Sequence, residues 1–210
     1  MDEALLESVR QKSRDSLAVK EAFFNDNAAQ VVAAARAIAN VYENGGKLFT
    51  IGNGGSSCDA AHIAVEFLHP VTAVRPALAA VNLVADTAMM TAVANDVGFA
   101  HIFVRQLIAQ ARRGDALIGI STSGNSDNLM TAFAKAKEMG LVTMGLAGGD
   151  GGKMKQSQLI DHCLVVPSDS IHRVQECHVA IYHILWDLTH TLLADRRGSS
   201  GTVPGAVATG

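Results

Sequence analysis

Five short apolar runs, separated by segments of helical periodicity, constrain the fold of this chain more than any other feature of its sequence. The runs carry no charged residue and comprise Leu48–Ile51, Ala79–Leu83, Ala116–Ile120, Val142–Leu146 and Cys163–Val166. Helical segments lie near residues 57–69, 87–94, 98–111, 126–139 and 153–160. Continuous apolar strands that alternate with helices are typical of a parallel sheet covered by helices on both faces. The sequence therefore predicts the α/β class.

The chain extends beyond this alternating region at both ends. Before the first strand, apolar residues recur at helical spacing on both sides of the polar triplet Asn25–Asn27, which predicts two helices. After the last strand, one long helix is expected from Ile171 to about Arg196, followed by a tail rich in Gly, Ser and Ala. We therefore predict an N-terminal helical oligomerisation arm at 1–45, the main domain at 46–197 and a disordered tail at 198–210.

Composition excludes several classes of protein. Of the 210 residues, 49% are hydrophobic and 18% charged, which supplies a buried core and excludes an intrinsically disordered chain. The net charge of −3 lacks the basic excess of a general nucleic-acid-binding protein. No apolar run approaches the roughly 20 residues that span a bilayer, and the N-terminus has no signal-peptide pattern. Three scattered cysteines, Cys58, Cys163 and Cys177, form no disulfide framework, so we expect a cytoplasmic protein without nucleic-acid or membrane partners.

Two loops that follow predicted strands carry the pattern of a ligand site, because ligands of open parallel sheets bind beyond the carboxyl ends of the strands. Gly52–Ser57 has three glycines that let the backbone approach a ligand closely. Ser121–Ser126 places four hydroxyls and a glycine before a helix, which favours an anion such as a phosphomonoester. A plain turn and a Ser/Thr helix cap are the respective alternatives. The pair Asn95-Asp96 can contact sugar hydroxyls or form only a turn.

Two helices carry candidate ligands and catalytic groups. His62 and Glu66 are four residues apart, so their side chains share a helix face, either as a site or as a solvated pair. On the last helix, Gln175 and His183 can reach one site, although His190 shares the face of His183. The core stripe of that helix is Val174, Cys177, Ile181, Ile184, Leu188 and Leu192. The opposite side carries Val179, Tyr182 and Trp186, which predicts a helix that is buried a second time against another subunit.

Together these motifs resemble those of the phosphoheptose isomerases, which are enzymes of the sugar-isomerase (SIS) domain family. The resemblance runs from about residue 28 to 193, in order and in spacing. It is carried by Gly52-Asn53-Gly54-Gly55-Ser56, Asp59-Ala60-Ala61-His62, Glu66, Asn95-Asp96, Ser121-Thr122-Ser123-Gly124-Asn125-Ser126 and Arg173-Val174-Gln175-Glu176 with His178 and His183.

The resemblance implies a single SIS domain, with a five-stranded parallel sheet flanked by helices in a flavodoxin-like three-layer sandwich. It also implies a homotetramer with active sites between subunits. The expected activity is the aldose–ketose isomerisation of sedoheptulose 7-phosphate through an enediol, with Glu66 and His183 as proton-transfer catalysts. A divalent metal, usually zinc, is expected on His62, Glu66, Gln175 and His183. The substrate-binding residues implied in the same way are Asn53, Gly54, Gly55, Ser56, Asn95, Asp96, Ser121, Thr122, Ser123, Ser126 and Gln175.

Two departures from the family pattern bear on the exact sugar. The segment Leu68–Pro76 is less basic than the usual loop, with Arg75 retained, and His172 stands where some relatives have an acidic or small residue. The main alternative is a non-catalytic SIS protein that binds a phosphosugar or a partner protein as a regulator. Such relatives tend to lose part of the His/Glu/Gln/His set, which this chain keeps. An aminotransferase-type protein is disfavoured because those chains carry two SIS domains in tandem.

Overall fold

The computed structural model of the protein describes residues 2–71 and 75–199. Two sets of elements alternate along most of this part of the chain. The strands are β1 (Leu48–Gly52), β2 (Ala80–Asn82), β3 (Ala116–Ser121), β4 (Val142–Gly148) and β5 (His162–Val166). The helices are α1 (Glu3–Glu43), α2 (Gly55–Leu68), α3 (Thr87–Asp96), α4 (Val104–Gln110), α5 (Asp127–Glu138), α6 (Gly152–Gln156) and α7 (Ile171–Ser199), with a 3₁₀ turn at Phe99–His101.

The five strands form one parallel sheet in the order β2-β1-β3-β4-β5. This is the strand order of flavodoxin-like doubly wound folds, which bind ligands where the order reverses, here next to β1 and β3. The predicted fold class is confirmed. Strand β2 is shorter than the apolar run that predicted it, and α6 ends at Gln156 rather than near residue 160.

Successive strand residues face two separate hydrophobic cores, as the period of two in a strand requires. Leu48 packs in the core that the sheet shares with α1, α2 and α7, whereas Phe49 packs with α4, α5 and α6 on the other face. The centre of the second core needs a glycine, because a Cβ on Gly119 would lie 2.5 Å from the Phe133 ring of α5. The result is a three-layer sandwich, with helices on both faces of the sheet.

The prediction of two N-terminal helices is wrong, because α1 runs without a break from Glu3 to Glu43. The triplet Asn25–Asn27 does not interrupt it: Asn25 and Asp26 are exposed, and the Asn27 amide donates to the Phe23 carbonyl one turn earlier. Phe23 and Val31 are buried on either side of the triplet, so the apolar face continues through it. The second half of α1 packs on α7 and the sheet, while Leu5, Val9 and Leu17 in the first half are exposed.

Helix α7 lies against α1 and α2 and ends later than expected, at Ser199. Its buried face is also rotated from the predicted stripe. Val174, Cys177 and Ile181 are buried as expected, but Ile184 is 37% exposed and Tyr182 is buried in its place. Residues 200–210, most of the predicted tail, lie outside the described residues. Within 2–71 and 75–199, none of the helices is both long and apolar enough to cross a membrane.

Candidate active site

The glycine loop after β1 places backbone, rather than side chains, at the carboxyl edge of the sheet. Gly54 has a φ of 54°, which only glycine adopts without strain, and α2 begins at the next residue. A Cβ on Gly52 would collide with the Ser56 backbone, so the loop folds tightly onto the first turn of the helix. The Ser56 amide donates to the Asn53 carbonyl (3.0 Å) and closes the turn. The N-terminus of α2 therefore lies at this edge of the sheet, next to the turn.

The hydroxyl loop after β3 lies beside it. Ser121 is the last residue of β3, and its Oγ lies 3.0 Å from the Oγ of Ser126, the N-cap residue of α5. The Ser126 side chain makes no capping hydrogen bond. This loop borders a cavity of about 460 Å³ together with the loops that follow β4 and β5. Hydroxyls at a helix N-terminus beside an open cavity are suited to binding an anion.

A pair of asparagines, one of which was not singled out from the sequence, joins the two loops. The Asn53 amide nitrogen donates to Asn128 Oδ1 (2.8 Å), and the Asn128 amide nitrogen donates to Asn53 Oδ1 (2.9 Å). Asn128 lies in the first turn of α5 and is 3% exposed. Asn53, predicted to contact the sugar, therefore has its carboxamide hydrogen-bonded to the first turn of α5, the helix that follows the hydroxyl loop. Asn128 positions the glycine loop relative to the hydroxyl loop.

Three of the four predicted metal ligands form one cluster at the contact between α2 and α7. His62 Nε2 lies 3.1 Å from Glu66 Oε1 and 3.5 Å from His183 Nε2. One ligand atom from each residue lies within 4.8 Å of the other two. The side chain of Glu66 is 22% exposed and that of His62 is 42% exposed, so the cluster opens to solvent. A single chain brings these three groups together.

The donor set and spacing of this cluster fit a zinc ion. Zinc takes imidazole nitrogens and carboxylate oxygens at about 2.0–2.2 Å, and two ligands at a tetrahedral angle are then roughly 3.4 Å apart. The separations from His62 Nε2, 3.1 Å to Glu66 Oε1 and 3.5 Å to His183 Nε2, bracket that distance, and the ligand atoms of all three residues lie within 4.8 Å of one another. The residues present therefore fit a divalent metal ion.

Three further side chains surround the cluster. The Trp186 indole donates to the Glu66 carbonyl (2.8 Å), and the Tyr182 hydroxyl lies 2.8 Å from His62 Nδ1. Burial raises the pKa of the Asp59 carboxyl, an effect that His62 and a hydrogen bond with Tyr182 oppose. Burial, together with Asp59 and Glu66, raises the pKa of the Tyr182 phenol. Tyr182 was predicted only as part of an apolar stripe; its position before His183 gave no sign of a polar contact.

Gln175 and the pair Asn95-Asp96 have neighbours other than the cluster of His62, Glu66 and His183. Gln175 borders a pocket with Gly55 and Asp59, and its amide approaches Gly55 so closely that a Cβ there would collide with it. Gln175 therefore lies beside the glycine loop, and its role as a metal ligand stays a prediction. Asn95 and Asp96 end α3, where the Asn95 amide donates to the Asp96 carboxylate (2.9 Å). Their contact with a sugar also stays a prediction.

Two further histidines on α7, His178 and His190, are buried among structural neighbours. His190 is 3% exposed, stacks on Phe67 and meets Trp186 edge to face, which separates it from His183. His178 is fully buried with Nε2 3.0 Å from the Ala147 carbonyl, and burial lowers its pKa to about 4.

The half-buried thiol of Cys163 and the buried thiol of Cys177 show no sign of catalytic activation. Burial raises the pKa of Cys163 and of Cys177 to about 11. Such thiols are protonated at neutral pH and are poor nucleophiles.

Comparison with known proteins shows one family to which both the sequence and the fold of this chain are similar. The model of the SIS domain family matches residues 13–148. A phosphoheptose isomerase of Aneurinibacillus thermoaerophilus is 43% identical over 179 residues, which cover 84% of this chain and 89% of that protein.

Two solved structures of phosphoheptose isomerases are similar over nearly their whole length. The structure from Francisella tularensis has a TM-score of 0.84 at 34% identity and covers 91% of this chain and 100% of its own. The structure from Neisseria gonorrhoeae has a TM-score of 0.82 at 36% identity and covers 89% of this chain and 99% of its own.

Proposed function

The chain belongs to the SIS-domain phosphoheptose isomerases, and we propose that its site interconverts sedoheptulose 7-phosphate and D-glycero-D-manno-heptose 7-phosphate. One observation carries this proposal beyond the sequence similarity. The cluster of His62, Glu66 and His183 forms between α7 and α2, the helix that begins at the glycine loop, and Asn53 of that loop is hydrogen-bonded to Asn128 in the first turn of α5, directly after the hydroxyl loop. The proton-transfer groups are therefore connected to the hydroxyl loop through α2 and the glycine loop.

The substrate phosphate is bound by donors rather than by cations in this proposal. Ser121, Thr122, Ser123 and Ser126 supply hydroxyls, and the N-terminus of α5 supplies the positive end of its dipole. Asn53, Gly54, Gly55 and Ser56 line the approach to the sugar, with Asn95, Asp96 and Gln175 as further contacts.

The chemistry requires that a proton leave the carbon next to the carbonyl and return to the neighbouring carbon, through an enediol. Glu66 is proposed to take and return the carbon-bound proton, since a carboxylate is a suitable base for that step. His183 is proposed to move the second proton between the two oxygens. The hydrogen bond from Trp186 to the Glu66 carbonyl holds this turn of α2 in place.

A divalent ion held by His62, Glu66 and His183, with Gln175 as a fourth ligand, would supply positive charge that stabilises the negative charge of the enediolate oxygen. Zinc is the proposed metal because the donor set combines imidazole and carboxylate groups at tetrahedral spacing.

We further propose that the chain acts in the cytoplasm as a homotetramer. Exposed apolar residues on the outer helices support an assembly: Leu5, Val9 and Leu17 on α1, and Ile184 on α7. In a tetramer, neighbouring subunits would complete the walls of each site. Analytical ultracentrifugation tests the assembly, and a monomer at micromolar concentration would contradict it.

Turnover of sedoheptulose 7-phosphate by the purified protein tests the activity. We expect the wild type to produce the aldose, and Glu66→Gln and His183→Gln to lower kcat roughly 100- to 10,000-fold. The matched controls are Glu138→Gln on the exposed side of α5 and His162→Gln at the amino end of β5, which should keep normal turnover. Near-normal turnover in both site variants would remove the proposed catalytic roles. A wild type that binds heptose phosphate without isomerising it would instead indicate a regulator.

A further inference from the structure

The hydroxyl of Tyr182 touches His62 on the ring nitrogen that faces away from the cluster. His62 Nε2 points to Glu66 and His183, at 3.1 and 3.5 Å, while Nδ1 lies 2.8 Å from the Tyr182 oxygen. The imidazole is therefore held at both nitrogens. Only the Nε2 side belongs to the ligand cluster.

The proton on the His62 ring has to be on Nδ1 when Nε2 binds a metal, because coordination uses the Nε2 lone pair. The group beside Nδ1 must then accept a hydrogen bond. Without a metal, Nε2 can carry the proton and donate it to Glu66, and the group beside Nδ1 must donate. A hydroxyl can do both, since it has one proton and two lone pairs. Phenylalanine at this position could do neither.

Asp59 belongs to the same electrostatic environment, because His62 and Tyr182 both lower the pKa of its carboxyl against the rise that burial causes. The contact that positions the imidazole is the one between the Tyr182 oxygen and His62 Nδ1.

We propose that Tyr182 is a positioning residue that holds His62 in the tautomer and orientation in which Nε2 can bind a metal ion. The inference rests on the metal site of the proposed function. It assigns Tyr182 no contact with substrate. Outer hydrogen-bond partners of this kind typically contribute 10- to 100-fold to metal affinity.

The packing around Tyr182 allows the role of its hydroxyl to be tested apart from that of its ring. The Tyr182 side chain is 2% exposed, and its ring meets the His62 and His183 rings edge to face, at centroid distances of 5.2 and 4.9 Å. Tyr182→Phe keeps this packing and removes only the oxygen. Tyr42→Phe is a matched control, because it removes a tyrosine hydroxyl that bonds to the Ala79 carbonyl instead.

Zinc affinity, measured by competition with a chromogenic chelator, is the first readout and needs no substrate. We expect Tyr182→Phe to bind Zn²⁺ about 10- to 100-fold more weakly than the wild type, and Tyr42→Phe to bind it normally. Equal zinc affinity of Tyr182→Phe and wild type would overturn the proposal. A wild type that binds no zinc would overturn both this proposal and the metal site, whereas one that binds zinc without isomerase activity would contradict only the proposed function.

Nitrogen NMR of histidine-labelled protein is a second readout, which loss of packing alone would not move. In the zinc-loaded wild type, His62 should show a protonated, hydrogen-bonded Nδ1 and a metal-bound Nε2. In Tyr182→Phe the Nδ1 signal should shift toward that of a ring without this partner. An unchanged Nδ1 signal in the variant would contradict the proposal.

Discussion

At the scale of single residues, the site depends on side chains whose hydrogen bonds position the groups of the site. Asn128 holds Asn53, and Trp186 holds the turn of α2 that carries Glu66. These residues bear no charge and are at least partly buried. Their energetic contribution comes from satisfied hydrogen bonds, because a buried polar group without a partner costs about 1–3 kcal/mol.

The asparagine pair leads to a prediction for substrate affinity. Asn128→Leu should raise KM for the sugar phosphate by roughly 5- to 150-fold, the equivalent of about 1–3 kcal/mol, because the Asn53 amide loses both partners and the glycine loop is released. Steady-state kinetics measure the change. Thr131→Val, which removes a hydroxyl bonded to a backbone carbonyl on the same helix, is the control. An unchanged KM in a folded Asn128→Leu protein would show that the pair does not position the loop.

His178 predicts a pH dependence of stability. Its pKa in the folded state is about 4, below the ordinary value of 6.5, because the ring is buried. The unfolded chain therefore takes up this proton first as the pH falls. The neutral His178 ring contributes its full stabilisation above pH 6.5. As the pH falls from 6.5 to 4, this stabilisation is lost, and the free energy of unfolding decreases by on the order of 3 kcal/mol.

Urea denaturation of the wild type and of His178→Gln, as a function of pH, measures this contribution. The wild type should lose stability more steeply than the variant between pH 6.5 and 4, and the half-buried His162→Gln should follow the wild type. Parallel profiles for wild type and His178→Gln would contradict the prediction.

At the scale of elements, α1 and α7 are the two long helices that cover the same face of the sheet. The hydroxyl of Ser16 on α1 donates to Glu176 (2.6 Å), which also pairs with Arg173, and the hydrogen bond from Ser16 is the main reason that the pKa of Glu176 is lowered. Glu176 follows Gln175 directly. The N-terminal helix therefore contacts the part of α7 that faces the glycine loop.

The continuity of α1 can be tested at the predicted break. Asp26→Pro should destabilise the protein by about 3 kcal/mol, because proline removes a hydrogen bond from a helix interior and its ring collides with the preceding turn. Asp26→Ala should be neutral or stabilising, since Asp26 is exposed. Urea denaturation compares the two variants. Equal stability of both would indicate a linker between two helices, as the triplet itself suggested.

At the scale of the whole molecule, the site is assembled from distant parts of the chain by a fold that does not depend on it. Ile63 and Phe67 of α2 and Ile181 and Leu185 of α7 are buried in the same core. This packing already holds the two helices together without a metal. The cluster lies at the border of that core, where it is partly exposed.

Metal removal should therefore abolish activity and leave the fold intact. After chelation we expect at least a 100-fold loss of turnover, restored by zinc, with unchanged far-ultraviolet circular dichroism. Relative to protein with free zinc at about 100 times Kd, the thermal midpoint should fall by roughly 5–10 °C. Full turnover in metal-free protein, or loss of the helical signal on chelation, would contradict this expectation.

Features that depend only on neighbouring residues could be predicted from the sequence. Apolar periodicity is a local property, so it predicted all five strands and the layered α/β fold. Glycines and hydroxyls after β1 and β3 marked the two loops for the same reason. His62 and Glu66 could be paired because one helical turn separates them.

Contacts between groups that are distant in the sequence became visible in the folded chain. The spacing on α7 did not separate His183 from His190, and it gave Tyr182 to an apolar stripe rather than to the Nδ1 side of His62. The fold also brings Asn128 against Asn53, 75 positions away in the sequence. These contacts depend on how each helix is rotated about its own axis, and that rotation follows from packing against all of its neighbours at once.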